Sequence, residues 1–208
     1  TFLVGGCVRD LLLGIHPKDY DIATDALPME VKRTINRAYI IGKRFQLVLV
    51  RREEMQFEVA TFRRELRPDE IKEDEPVSDN MFGSPEEDAK RRDFTINGLF
   101  YDPIGDQLID YAEGLPDLDN RLVRMIGDPM IRLVEDPIRI MRALRLKHMI
   151  GFQLDGDLRQ AMMATAHSLP STALPRRREE ILKWLKLKRP ELAFREAHDL
   201  GILKVLTP

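Results

Sequence analysis

The sequence is poor in several features that mark particular classes of protein. It contains one cysteine, Cys7, in 208 residues, which excludes a disulfide within the chain and argues against a disulfide-linked partner. No apolar run approaches the roughly 20 residues that a membrane-spanning helix needs, and no segment is typical of a signal peptide. We therefore expect no membrane partner, and the lone cysteine favours a reducing, cytoplasmic location.

The sequence also lacks a large excess of charge of either sign. Although 33% of the residues are charged, the formal net charge is only −2. A nucleic-acid partner would therefore be held by local basic patches and not by the field of the whole molecule. The hydrophobic content of 43% excludes a chain that is disordered overall. It is sufficient for one large or two small domains with a packed core.

The N-terminal segment combines a glycine turn with two closely spaced carboxylates. Gly5 and Gly6 follow an apolar strand and open a short amphipathic helix, whose first N–H groups form an anion site that Arg9 reinforces. Asp19 and Asp21 point to the same side of a strand, and a divalent cation relieves their repulsion. Taken separately, the turn fits an ordinary strand–helix corner and the aspartates fit a solvated strand edge. Their adjacency favours a phosphate cradle beside a metal site.

Glu58 is a candidate third carboxylate for this site. It lies in the otherwise apolar segment 57–62, where a carboxylate must meet a cation or water. The alternative is an exposed strand face. Because a two-metal phosphoryl-transfer site usually needs a third carboxylate beside the pair, we predict that Glu58 completes the catalytic set with Asp19 and Asp21, the two predicted metal ligands.

The first half of the chain alternates strand-like and helix-like segments, which predicts a mixed arrangement of helices and strands. Further strands are predicted at residues 39–42, 45–50 and 56–62. A helix is predicted at residues 28–38, with Asp25 as its N-terminal cap. Residues 65–80 are acidic and interrupted by proline, which predicts a mobile loop.

A basic cluster follows a helix that Ser84 is predicted to cap. Arg91 and Arg92 are followed by one acid, Asp93, and one amide, Asn97. This combination suits a sugar and a triphosphate. The alternative is a solvated helix with an internal salt bridge.

The chain becomes helical in pattern after residue 127. Asp136, Arg139 and Arg142 are spaced three apart, so that all three lie along one face of a continuous helix. An isolated pair of this kind contributes only about 0.3–0.5 kcal/mol, which is too little to explain it by stability. A fixed acid–guanidinium pair can, however, offer acceptors and donors to the edge of a nucleobase.

The last third of the chain is the most basic. It is predicted to be helical, with breaks at Pro170 and Pro175, and its leucine spacing places Trp184 and Phe194 in the core. The basic residues suit a polynucleotide backbone, although a solvated helix face is the alternative. The predicted RNA contacts are Arg176, Arg177, Arg178 and Lys183.

Four motifs in series resemble the class II nucleotidyltransferases, which include bacterial poly(A) polymerases and CCA-adding tRNA nucleotidyltransferases. They occupy residues 3–14, 19–21, 91–97 and 135–139. The resemblance implies an α+β fold that begins with a small, polymerase beta-like nucleotidyltransferase head containing a mixed five-stranded sheet, at residues 1–127. An all-helical part follows, with a neck at 128–170 that carries the base-reading helix and the start of an RNA-binding body at 171–208. It also implies that this chain is a fragment, or the ordered part, of a longer protein.

The resemblance also assigns roles to the candidate residues. Asp19 and Asp21 would hold Mg²⁺ in a two-metal site, with Glu58 as the third carboxylate and ATP as substrate. The expected triphosphate contacts are Gly5, Gly6 and Arg9, and the expected triphosphate and ribose contacts are Arg91, Arg92, Asp93 and Asn97. The expected base readers are Asp136 and Arg139, supported by Arg142.

The resemblance favours the poly(A) polymerase branch, which adds AMP from ATP to RNA 3′ ends without a template. Residues 40–47, 79–84 and 110–111 resemble segments of that branch. Leu49 departs from it, because His or Gln is usual at that place. The expected partner is the 3′ end of an mRNA or small RNA. Two alternatives remain, which are CCA addition to tRNA and a non-catalytic RNA- or nucleotide-binding protein with the same fold.

Overall fold

The computed structural model describes residues 1–42, 46–65 and 81–206. They fall into two compact units. The first comprises Thr1–Arg92 with Ile96–Leu115, and the second comprises Asp93–Thr95 with the chain from Pro116 onward. Within the described ranges, no helix is both long and apolar enough to cross a membrane. Most of the predicted loop, residues 66–80, lies outside the described residues, as does Phe45 of a predicted strand.

A mixed seven-stranded sheet forms the first unit. Its strands in chain order are β1 (Phe2–Val4), β2 (Tyr20–Thr24), β3 (Ala38–Ile41), β4 (Leu47–Arg52), β5 (Met55–Thr61), β6 (Leu99–Asp102) and β7 (Gln107–Asp110). Their order across the sheet is β3-β4-β5-β2-β1-β6-β7. Strands β2 and β5 are parallel neighbours, whereas the other neighbouring pairs are antiparallel.

The α+β fold class predicted from the sequence is confirmed, but the sheet has seven strands where five were expected. The difference comes from the hairpin β6–β7. Its first strand pairs with β1 through Leu3↔Tyr101 and Val4↔Phe100, and its second strand then becomes an edge of the sheet. Pairing between segments as distant in sequence as β1 and β6 cannot be predicted from local sequence pattern.

The described part of the first unit contains the helices α1 (Gly6–Leu12), α2 (Pro28–Thr34) and α3 (Pro85–Lys90). Helix α3 starts as predicted, because the Ser84 hydroxyl accepts from the N–H of Glu87 and the Glu87 carboxylate accepts from the N–H of Ser84. Helix α2 is shorter than predicted. Leu27 and not Asp25 is its N-terminal boundary residue, and the chain turns extended at Ile35.

Apolar clusters cover the sheet of the first unit. One consists of Val4, Ala23, Phe62, Ala89 and Phe100, and includes a residue of α3. A second consists of Val31, Ala38, Val48, Val50 and Val59, and includes a residue of α2. In β5 the buried Val59 alternates with the exposed Glu58. The alternation of strand side chains therefore buries one face of this strand and leaves its carboxylate on the other.

The second unit is mostly helical. Its elements are the end of α4 (Gly114–Asp119), β8 (Leu122–Val123), α5 (Pro129–Glu135), α6 (Ile138–Ile150), β9 (Gln153–Leu154), α7 (Gly156–Thr165), α8 (Leu174–Leu185), α9 (Pro190–Asp199) and α10 (Leu203–Leu206). Trp184 is buried as predicted, and its indole N–H donates to the carbonyl of Met141 at 3.0 Å. Phe194 is half-buried and meets the Trp184 ring edge-on.

The predicted continuous helix from residue 135 to 146 is interrupted. Helix α5 ends at Glu135, Asp136 has φ −143° and ψ 88°, and α6 begins at Ile138. Pro137 explains the break, because its ring disfavours helical backbone at the preceding residue and it has no N–H to donate. Asp136 therefore lies in the corner before the helix and not on one helical face with Arg139 and Arg142.

Candidate active site

Carboxylates from two neighbouring strands come together in the first unit. Asp21 of β2 and Glu58 of β5 are register partners in the parallel pair, so both point to the same face of the sheet. Asp19 lies just before β2 and is exposed. The structure thus places Glu58 beside Asp21, where the sequence predicted a third carboxylate. The role of Glu58 as a metal ligand stays a prediction.

The electrostatics of these carboxylates show that they act on one another. Burial raises the pKa of Asp21, Arg92 opposes that rise, and the charge of Asp19 adds to it. Burial also raises the pKa of Glu58, and the charges of Asp21 and then Asp19 raise it further. Concentrated negative charge of this kind is unfavourable until a cation neutralises it.

The donor set fits Mg²⁺, although the described residues contain no group of three or more His, Cys, Asp or Glu side chains arranged to hold a metal ion. Mg²⁺ prefers oxygen ligands and usually takes one or two carboxylates, completing its shell with water and substrate phosphates. Asp21 with Asp19 supplies such a pair. Because these carboxylates repel one another, a bound cation would lower their electrostatic free energy.

The glycine turn lies next to the side chains of this site. Gly5 has φ +77° and ψ −135°, a region essentially restricted to glycine. A Cβ at this position would lie 2.9 Å from Nη1 of Arg92 and 3.8 Å from Oδ2 of Asp21. Gly5 is therefore required by the backbone conformation, and an added Cβ would also displace the end of the Arg92 side chain. Phosphate binding by Gly5 and Gly6 stays a prediction.

Arg9 is engaged by neighbouring side chains of its own unit, and its predicted triphosphate contact stays a prediction. Its side chain is 5% exposed, and its guanidinium donates to Oδ1 of Asp10 at 2.6 and 2.9 Å and to Oδ1 of Asn97 at 2.5 Å. In this structure Arg9 thus orients Asn97 through its amide oxygen. Asn97 itself ends the 3₁₀ turn Thr95–Asn97, and its predicted ribose contact stays a prediction.

Arg91 and Arg92 line the same cleft as Asp21 and Glu58. The cleft has a volume of about 270 Å³. Both arginines are anchored by Asp88, a buried residue of α3. Asp93, the acid of the same predicted cluster, pairs with Arg142 in the second unit, where Nε and Nη2 of Arg142 lie 2.7 and 2.6 Å from Oδ2 of Asp93. This contact raises the pKa of Arg142. The predicted contact of Asp93 with the nucleotide stays a prediction.

The predicted base-reading pair is not formed between Asp136 and Arg139. Both oxygens of Asp136 accept from Arg176, at 2.9 and 2.8 Å. Arg139 instead donates to the carbonyl of Arg132 at 2.7 Å and to the carboxylate of Glu135 at 3.3 Å. Because Pro137 separates Asp136 from the helix, Asp136 and Arg139 hydrogen-bond to different residues and not to each other. Base reading by these residues stays a prediction.

The predicted RNA contacts lie on α8. Arg176 is engaged by Asp136, and Lys183 lies 2.7 Å from Glu179 and 3.4 Å from Glu180. Arg178 is exposed, whereas Arg177 is half-buried. The basic stretch is thus partly neutralised by acids of its own unit, and its contact with RNA stays a prediction.

The segments that favoured one branch of the family are only partly described. Residues 43–45 and 79–80 lie outside the described residues. Asp110 accepts backbone N–H bonds from Ala112, Gly114 and Leu115, so it fixes a turn. Leu49 of β4 is the register partner of Glu58, which places the departure from the poly(A) branch next to a predicted catalytic residue.

Asp88 is the main site residue that sequence reasoning missed. Its spacing held the signal, because Arg91 and Arg92 follow it by three and four residues and such pairs lie on one face of a helix. Arg63, which follows β5 and also lines the cleft, carried no comparable signal. The pairing of β2 with β5 brings it to the cleft that Asp21 also lines.

Comparison with known proteins identifies the family of both parts of the chain. Residues 1–124 match the poly A polymerase head domain, and residues 151–208 match the probable RNA and SrmB-binding site of polymerase A. Poly(A) polymerase I of Haemophilus influenzae is 36% identical over 216 residues, which cover 100% of this chain and 48% of the relative. The CCA-adding enzyme of Bacillus pumilus is also 36% identical, over 195 residues that cover 94% of this chain and 48% of the relative.

A solved structure has the same fold. The Bacillus stearothermophilus CCA-adding enzyme in complex with CTP superposes with a TM-score of 0.84 at 34% identity, covering 97% of this chain and 48% of that one. This chain therefore spans about half the length of the relatives that it matches. Its motifs, its fold and these similarities show that the chain belongs to the class II nucleotidyltransferase family of poly(A) polymerases and CCA-adding enzymes.

Proposed function

We propose that this chain carries the catalytic head of a template-independent polynucleotide adenylyltransferase, which adds AMP from ATP to RNA 3′ ends. The observation that carries the proposal is the cleft in which Asp21 and Glu58 face Arg91 and Arg92. Carboxylates that suit a divalent cation and guanidiniums that suit phosphate are the two requirements of phosphoryl transfer. Family membership supports the same chemistry.

The proposed reaction is an in-line displacement. The RNA 3′-hydroxyl loses its proton to solvent and its oxygen bonds to the α-phosphorus of ATP. The bond between the α-phosphorus and the oxygen that bridges it to the β-phosphorus breaks, and pyrophosphate leaves with that oxygen. Asp19 and Asp21 would hold Mg²⁺, which lowers the pKa of the attacking hydroxyl and neutralises the leaving phosphates when bound. The arginines orient the polyphosphate, so that the protein acts mainly by positioning. No covalent enzyme intermediate is needed.

The proposed role of the second unit is to choose the nucleotide and to hold RNA. Asp136 and Arg139 would offer an acceptor and donors to the base edge, supported by Arg142. The helix α8 residues Arg176, Arg177, Arg178 and Lys183 would contact the RNA backbone. The alternative function, CCA addition to tRNA, has comparable support from sequence identity. The CCA-adding relative is as similar to this chain as the poly(A) polymerase, at 36% identity each.

Extension assays distinguish these functions. The full-length protein would be given ATP or CTP separately, with either oligo(A) or a tRNA lacking its 3′ end. Long homopolymeric A tails are the expected result. Ordered addition of C, C and A that then stops would establish the alternative, and RNA binding without pyrophosphate release would establish a non-catalytic protein.

Three acidic residues of the first unit provide variants that test the proposed site, two of them as a matched pair of glutamates. Asp21→Ala is expected to abolish extension while far-UV circular dichroism stays unchanged. Glu58→Gln is expected to reduce extension strongly, whereas Glu54→Gln, in the exposed turn before β5, should extend RNA at the wild-type rate. Extension by Asp21→Ala at the wild-type rate would show that the metal assignment is wrong.

A further inference from the structure

Asp88 connects the three arginines of the cleft. Its Oδ1 accepts from Nε and Nη2 of Arg91 at 2.9 and 2.7 Å, and its Oδ2 accepts from Nε and Nη2 of Arg92 at 3.3 and 2.9 Å. Oδ1 also accepts from the backbone N–H of Arg63 at 3.0 Å. Each oxygen of one carboxylate thus holds one guanidinium.

The position of Asp88 excludes a direct role in the cleft. Its side chain is only 2% exposed, whereas those of Arg91 and Arg92 are 31% and 20% exposed. Asp88 is not among the residues that line the cleft, and both arginines are. Asp88 therefore lies behind the wall of the cleft, and the arginines form that wall.

Each arginine donates to Asp88 through both Nε and Nη2, and this two-point contact determines which edge of its guanidinium faces Asp88. Because Asp88 takes the Nε and Nη2 hydrogens, the Nη1 group of Arg92 is the one turned away from it. That group lies against Gly5, 2.9 Å from where a Cβ would be. The buried ring of Phe100 packs against the same guanidinium, with its centroid 5.3 Å away. Arg92 is thus fixed in plane and in direction.

We infer that Asp88 is a positioning residue that holds Arg91 and Arg92 as a preformed receptor for the polyphosphate of the incoming nucleotide. The inference rests on the proposed function, because it assigns a substrate group to the same cleft. A guanidinium that is already oriented loses little conformational freedom when phosphate binds. In metal sites, removing a partner that orients a metal ligand typically costs about ten- to a hundredfold in affinity or activity, and we expect a similar effect for a partner that orients a phosphate-binding arginine.

The negative charge of Asp88 also offsets the repulsion between the two guanidiniums. Asparagine at this position has one acceptor oxygen, and its NH₂ group would face a second set of donors. One arginine would then lose its acceptor and its orientation. Asp88→Asn should therefore weaken contacts with phosphate and leave contacts with adenosine unchanged.

The test measures binding of inorganic tripolyphosphate and of adenosine to the full-length protein, together with KM and kcat for ATP. Asp88→Asn is expected to weaken tripolyphosphate binding and raise KM by about tenfold or more, with a smaller effect on kcat and none on adenosine. Loss of folded protein would instead lower the apparent kcat and leave KM unchanged. Glu86→Gln is the matched control, because Glu86 is an exposed acid of the same helix paired with Lys90.

A second variant covers the case in which Asp88→Asn does not fold. Arg92→Lys keeps the positive charge but cannot make the two-point contact with Asp88. It is expected to weaken tripolyphosphate binding about tenfold as well. Equal binding by the arginine and lysine forms, or unchanged KM in a folded Asp88→Asn, would overturn the inference. Tripolyphosphate binding that depends on Asp88 without any RNA extension would support it and refute the proposed function.

Discussion

Arg176 makes a bidentate contact with Asp136, with Nη1 donating to Oδ1 at 2.9 Å and Nη2 donating to Oδ2 at 2.8 Å. The side chains of Arg176 and Asp136 are 53% and 29% exposed. Because water screens a pair that is exposed to this degree, it contributes at most about 1 kcal/mol to stability. Its geometric effect is more important, since it fixes the plane of a carboxylate proposed to read the base.

The first prediction follows from this contact. Arg176→Gln should change the free energy of unfolding by less than about 1 kcal/mol. It should nevertheless reduce the preference for ATP over CTP, because Asp136 can then rotate to meet either base. The measurement is the ratio of kcat/KM for the two nucleotides. Arg178→Gln, on the same helix and exposed, is the control, and an equal change in both variants would contradict a role through Asp136.

Gly5 gives a prediction about stability. Gly5→Ala should destabilise the protein by about 1–3 kcal/mol, because its backbone lies in a region that other residues rarely adopt. The added Cβ would also displace Arg92, so RNA extension should fall. Gly14→Ala is the comparison, since Gly14 has φ +69° but nothing within 4 Å of an added Cβ. Its loss of stability should be smaller, without loss of activity, as measured by urea denaturation and extension.

Asp88 predicts a stability that depends on pH. Burial raises the pKa of Asp88, but Arg92, Arg91 and the N–H of Arg63 together lower it below the ordinary value of 3.8. The stabilisation is therefore present above pH 3.8 and is lost as the pH falls through the lower, folded-state pKa. Asp88→Asn should be less stable than the wild type at pH 7, and the difference should shrink below pH 3.8. A constant difference from pH 7 to pH 2, followed by circular dichroism, would contradict this.

Asp21 predicts a pH dependence of stability that is opposite in sign to that from Asp88. Its pKa is raised above 3.8, first by burial, so the folded protein holds a proton that the unfolded chain has released. Stability from this group falls as the pH rises from 3.8 through the folded-state pKa. In a chelating buffer without divalent cations, Asp21→Asn should therefore be more stable than the wild type at pH 7. The two proteins should become equal below pH 3.8, and denaturant midpoints at each pH provide the measurement.

The parts of the fold that sequence predicted best are those fixed by local chemistry. Ser84 and its capping partner three residues later start α3 as expected, and the alternation in β5 separates Glu58 from the buried face. Long-range pairing was not accessible in this way. The β6–β7 hairpin adds two strands because Val4 pairs with Phe100, and no local pattern records that contact.

In the candidate site, too, features fixed by local sequence were predictable and features fixed by long-range packing were not. Asp21 and Glu58 were predicted from residue type, and the parallel register brings them together. Direct substrate contacts were predicted for Arg9 and Asp136 and stay predictions. The structure adds partners within their own units, Asn97 for Arg9 and Arg176 for Asp136. Sequence gives the chemistry of an arginine or an aspartate, whereas its intramolecular partners depend on tertiary packing. The proline between Asp136 and Ile138 was visible in the sequence and should have ended the predicted helix.

The parallel pairing of β2 with β5 also determines when the site can exist during synthesis. Helix α2 and strands β3 and β4 separate the two strands along the chain, and β5 inserts between β2 and β4 in the sheet. A nascent chain that has made Asp19 and Asp21 must close this long loop before Glu58 joins them, and such non-local closure is slow. Truncated products that end before β5 therefore carry the aspartates without the cleft, and acquisition of the site coincides with completion of the sheet.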